Sequence, residues 1–168
     1  MRVVLYAAVL LSACRIDLDR REQPDGGGGT CKESTAAVCM EATTHSDFAW
    51  IENKIFLSNC FGSSCHTGTT ASGRIDLSAG KSYATLMGAS GTGGVMSNLD
   101  PTRVLVTPGN PAQSYLFYIL HGIEPSEADP PAGPPPQDVG YMPMNNATLC
   151  CQKLDAIERW ITAGALNN

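Results

Sequence analysis

A mainly α, loop-rich fold is what this sequence predicts, on two observations. Apolar residues recur at helical spacing in short segments that open on a capping residue and stop at glycine. The 17 Gly and 11 Pro among 168 residues, more than long regular elements tolerate, point to extensive loops between them. The length suits one domain with a sizeable core once its tails are set aside.

The chain opens with "MRVVLYAAVLLSAC": one positive residue, Arg2, an apolar run over 3–11, and small residues up to Cys14. This is the architecture of an export signal, and its apolar run is too short to span a bilayer. The ending Leu11-Ser12-Ala13-Cys14 resembles the lipobox of bacterial lipoproteins. That resemblance implies a signal peptide over 1–13, cut before a lipid-bearing Cys14, and a folded part outside the cytoplasm, in the periplasm or on the cell surface. Acyl chains, at about 0.8 kcal/mol per buried methylene, would hold it to a membrane without a spanning helix. Residues 14–45 are then expected to form a flexible tether. Over 15–35 they are charged and glycine-rich with little to bury, and reach about 25 Å.

The domain proper is expected over 46–168. Its first helix begins at Ser46 or Asp47, both good caps, and carries Phe48, Ile51 and Ile55 on one face before delivering the chain to Cys60. A loop with Ile75 and Leu77 alternating leads to a short helix over 79–87, stopped by Gly88. Residues 88–102 are glycine-rich and are read as a mobile loop. A short extended run then precedes a helix capped by Asn110, with Pro111 at its first position and Gly122 at its end. The proline-rich stretch that follows can be neither helix nor central strand. A closing helix places Leu154, Ile157 and Ile161 on one face with Trp160 beside them, and ends at Gly164.

The chemistry concentrates in "NCFGSSCHTG". Covalent haem attachment needs two cysteines near the two vinyl groups and a histidine whose ring nitrogen reaches the iron, most compactly as C-x-x-C-H. Cys60, Cys65 and His66 keep the second cysteine beside the histidine, but four residues separate the cysteines instead of two. Small residues between them let the longer loop fold back. On residues alone the pair suits a small-loop disulfide equally well.

Taken in order, "CFGSSCH", "GRIDLS", "YATLMG", "VTPGNPAQSYL" and "YMPMNNATLCCQKLDAIERWITAGA" resemble the small cytochrome c-like domains of planctomycete type found in exported bacterial proteins. The resemblance covers residues 46–165. It implies a cytochrome c-like helical domain around one haem c, with His66 as proximal iron ligand. The second ligand is then a methionine before the last helix, Met142 of the Met142-Pro143 pair, with Met144 as fallback and His121 as a further substitute. Pro143 restricts Met142 to extended backbone, and a thioether is a soft neutral ligand that favours ferrous iron. The implied role is single-electron transfer at a membrane surface between redox partners the sequence does not name, with no catalysis.

Two other readings stand beside it. One keeps the fold without haem, as a disulfide-held binding or structural lipoprotein. The other puts copper or zinc on Cys60, Cys65, His66 and Met142, since soft sulfur suits Cu(I). The remaining cysteines, Cys31, Cys39, Cys150 and Cys151, allow three connectivities. A bond between the adjacent Cys150 and Cys151 is strained, so each is expected to pair with Cys31 or Cys39. The net charge of −5, without clustered Lys or Arg, excludes nucleic acid as a partner. No Ser-His-Asp order, carboxylate pair or phosphate loop supports an enzyme, and a thiol oxidoreductase would want C-x-x-C at a helix N-terminus.

Overall fold

The computed structural model describes residues 31–62, 65–98, 100–123, 142–144 and 148–168. Cys14 and the lipobox-like residues before it, most of the expected tether and the proline-rich stretch lie outside them. Among the described residues the fold is mainly α and loop-rich, with isolated β-bridges and no strand.

Its helices are short. Helix α1 (Ala37–Ala42) is followed by α2 (Phe48–Ile51), which runs straight into a π-helical segment, Glu52–Cys60. After two 3-10 turns come α3 (Ser82–Met87), α4 (Tyr115–Leu120) and the twelve-residue α5 (Cys151–Thr162). Such short helices are marginal alone and depend on the face they bury. All of α2 to α5 contribute to one buried cluster centred on Ile51, Ile55, Leu86, Ile157, Trp160 and Ile161.

Local signals account for several ends. Asp47 caps α2, its Oδ2 accepting from the Trp50 amide at 3.0 Å. Asn168 accepts from the next two amides, Phe48 through its side chain at 3.0 Å and Ala49 through its carbonyl at 2.9 Å. These bonds answer donors that a helix start leaves open. Helix α5 closes on a Schellman pattern: the Ala165 amide donates to Trp160 O and the Gly164 amide to Ile161 O, with Gly164 at φ +102°.

The helix that runs from α2 to Cys60 departs from a regular α-helix because of what it must bury. Ile51 and Cys60 are nine residues apart, about two and a half α-turns, which would set them on opposite sides. Hydrogen bonds reaching i+5 widen the turn, and Ile51, Ile55, Phe56 and Cys60 all enter the core.

Three expectations change. The packed unit starts well before residue 46: α1 lies against α5, and Cys39 and Ala42 are buried. The disulfides Cys31–Cys151 and Cys39–Cys150 hold it there, so the adjacent cysteines at the start of α5 do take separate upstream partners. The chain over 88–98 is pinned. Gly93 donates to Met87 O, Leu105 to Val95 O, and Met96 pairs antiparallel with Val104. A Cβ at Gly93 would meet Pro108 Cδ and Val106 O at 2.9 Å, so only glycine allows this approach. Finally, Asn110 makes no side-chain cap. Pro111–Gln113 is a 3-10 turn, and α4 starts at Tyr115 because Tyr115 N and Leu116 N donate to the carbonyls of Val104 and Leu105.

Candidate functional site

Cys60 ends the π-helical segment and is buried in the core cluster, while Cys65 is half-buried on the loop that follows. Both lie outside the two disulfides. Thr67 closes the loop: its Oγ1 accepts from the Gly62 amide at 3.2 Å and donates to Gly62 O at 2.9 Å. The Cys65 amide also donates to Gly62 O at 2.9 Å. Gly62 is thereby tied to both Cys65 and Thr67.

Next on the chain, the His66 ring is held by a backbone carbonyl. His66 Nδ1 lies 3.1 Å from Ile75 O. A carbonyl only accepts, so Nδ1 carries a proton, and the lone pair the ring has to offer a metal is the one at Nε2. This is the tautomer that a metal-ligating histidine adopts when its other nitrogen bonds a carbonyl.

Met142 comes from a distant stretch. Its amide donates to Ile119 O at 3.1 Å, beside the end of α4, and its partly buried side chain packs against the cluster that contains Cys60. Met144, two residues on, is 54% exposed. His121 bonds Phe117 O through Nδ1 at 2.8 Å and packs on the Phe117 ring. His45 stacks on Trp50 with ring centroids 4.7 Å apart and bonds Asp47. Trp160 is a core residue, its Nε1 donating to Leu166 O at 2.8 Å.

Among the described residues no three His, Cys, Asp or Glu side chains gather as a metal-binding group. Cys60, Cys65 and His66 are thus not gathered as one such group. They do fit covalent haem, which asks something different of each: two thiols outside any disulfide, and one imidazole with Nδ1 engaged. Nothing in that donor set requires the sulfurs to converge on the metal.

The sequence reading passed over a cation beside Cys60. Lys153 of α5 is buried, and its Nζ donates to Asn59 Oδ1 at 2.8 Å. Burial pushes its ammonium pKa down. Burial also pushes the Cys60 thiol up to about 12, against the opposing pull of Lys153. At pH 8 roughly one Cys60 in ten thousand is then a thiolate, which makes it a poor exchange nucleophile. In haem-free protein with both disulfides intact, iodoacetamide at pH 8 is expected to label Cys65 at least about tenfold faster than Cys60. Peptide mass spectrometry over a labelling time course measures this, and equal rates would contradict the burial of Cys60.

Asp76 was missed as well, although an aspartate two residues before Ser78 is a recognisable turn signal. Its Oδ1 accepts from the amides of Gly68 and Ser78, each at 3.0 Å, and from the Ser78 hydroxyl at 2.5 Å. No protein-family model, curated protein or solved structure matches this chain.

Proposed function

We propose that this chain is an exported, lipid-anchored electron-transfer protein that holds one haem c in a cytochrome c-like helical domain. One observation carries the reading. Of the six cysteines from Cys31 onward, four are spent in two disulfides, and the remaining two precede a histidine whose Nδ1 is engaged by a backbone carbonyl. That division matches what covalent haem requires.

In this reading Cys60 and Cys65 hold the group, His66 is the proximal ligand through Nε2, and Met142 is the second ligand. When bound, haem supplies a one-electron ferric–ferrous couple. The chain sets how easily that couple is reduced. A neutral thioether favours the ferrous state and raises the potential, and so does the apolar cluster shared by Cys60 and Met142. The Ile75 carbonyl holds His66 in one tautomer and orientation. Lipid on Cys14 would keep the domain at a membrane within reach of redox partners there.

Protein matured in an exporting host that makes other c-type cytochromes should give a band that stains for haem peroxidase after denaturing electrophoresis. Reduction with dithionite should give the sharp absorption bands of haem c. The Cys60→Ser, Cys65→Ser double variant should lose the stain. Clean wild-type protein without stain would sink the haem reading in favour of a disulfide-held binding module. For the anchor, labelled palmitate should enter the wild type but not Cys14→Ser, and labelling of that variant would place the lipid elsewhere.

A further inference from the structure

We infer that Asp76 is a positioning residue for His66, its carboxylate clasping the loop that carries the histidine to the segment whose carbonyl holds the imidazole. The consequence for iron rests on the haem reading above, whereas the clasp stands on geometry alone. Residues 66–68 and 75–78 lie side by side, joined by three rungs. His66 Nδ1 donates to Ile75 O at 3.1 Å, the Leu77 amide donates to His66 O at 2.9 Å, and the Gly68 amide donates to Asp76 Oδ1 at 3.0 Å. Asp76 thus stands between the two residues that hold His66. Ser78 donates to the same carboxylate oxygen from its amide and its hydroxyl, which fixes where that oxygen points.

The clasp needs a turn directly after the histidine. Gly68 makes it at φ +67°, a conformation that favours glycine. Charge-assisted bonds to amides and hydroxyls are stronger than neutral ones. Here they hold the Asp76 carboxyl below its usual pKa, the Ser78 hydroxyl foremost, then the amides of Ser78 and Gly68. Removing the carboxylate leaves the Gly68 amide without this acceptor, and the loop is then tied through Cys65 and His66, the latter partly by the bond that sets its own tautomer.

The test uses the full chain and three readouts: exchange of the Gly68 and Leu77 amides, the Nδ1 proton resonance of His66, and the midpoint pH at which acid removes histidine from ferric iron. Asp76→Ala should speed both amides about tenfold while amides of α5 stay unchanged. It should also broaden or abolish the Nδ1 resonance and raise the acid midpoint by about one pH unit. Haem staining should be unaffected, since Cys60 and Cys65 are untouched. Asp76→Asn keeps an oxygen acceptor and should recover most of each effect. Should Asp76→Ala fail to fold, Ser78→Ala loosens the same carboxylate and should give the same changes at about threefold.

Faster amide exchange with an unmoved Nδ1 resonance and acid midpoint would mean that Asp76 shapes the loop without positioning His66, and the inference is overturned. So it is if nothing moves. If the wild type carries no haem, the functional reading fails separately, and the Nδ1 resonance with the exchange rates still decides the clasp.

Discussion

Replacing Cys31, Cys39, Cys150 and Cys151 together by alanine is expected to cost about 7 to 8 kcal/mol, some 2 kcal/mol more than the two disulfides cost when removed one at a time. The excess follows from connectivity. The bonds close loops with sequence separations of 120 and 111, so either alone restrains nearly the same unfolded chain. A first bond over such a loop is worth about 5 kcal/mol in chain entropy. With Cys31–Cys151 formed, Cys39 and Cys150 are joined through a ring of only about ten residues, and closing it adds about 2.6 kcal/mol. The same ring results if Cys39–Cys150 forms first. Removing either bond therefore costs about 2.6 kcal/mol, while removing both also forfeits the large loop. A loss of 7 to 8 kcal/mol is comparable to a domain's whole stability, so the quadruple variant should sit near its unfolding midpoint without denaturant. Guanidinium unfolding of the wild type, the two single-bond variants and the quadruple variant measures the terms. Additive costs would contradict the shared-loop arrangement.

On the proposed haem reading, Met142→Ala is expected to leave the iron without its methionine ligand or with another group in its place, to lower the reduction potential, and to abolish the weak charge-transfer absorption of ferric iron bound to methionine sulfur near the red edge of the visible. Met144→Ala should change none of the three. The two side chains differ in where the backbone holds them. The Met142 amide is fixed to Ile119 O at the end of α4, and its side chain already packs against the core that holds Cys60. Met144 is exposed to solvent, and ligation would require it to turn inward at the cost of side-chain freedom. Without haem, Met144→Ala falls among surface substitutions worth about 0.5 kcal/mol or less, and Met142→Ala costs some packing. Potential and the charge-transfer band are therefore the decisive readouts. Reversed behaviour would assign the ligand to Met144, and no effect from either would leave His121 or no protein ligand.

Read from residues alone, what could be placed is what depends on near neighbours. Asp47 caps a helix because its carboxylate reaches an amide three residues on. Gly88 and Gly164 end helices because both sit at positive φ, which side chains resist. The periodic Leu154, Ile157 and Ile161 mark a buried face whatever they pack against. Adjacency likewise makes Cys65-His66 a candidate site, and the strain of an adjacent disulfide sends Cys150 and Cys151 to separate partners.

Tertiary structure decided whatever depends on a partner far along the chain. Residues 31–45 fall within the expected tether, and pack with the fold because two disulfides and α5 give α1 something to bury against. The helix before Cys60 is wound as a π-helix because the core, reached from both of its ends, needs Ile51 and Cys60 on one side. Helix α4 starts four residues later than its proline suggests because Tyr115 and Leu116 bond to the 104–105 backbone. The tautomer of His66 was invisible for the same reason: the carbonyl that sets it belongs to Ile75, nine residues away, and is brought there by a loop that only the folded chain closes. Caps, turns and periodicity are short-range and survive in the sequence. Burial, disulfide partners and ring orientation are long-range, and exist only once the chain has packed.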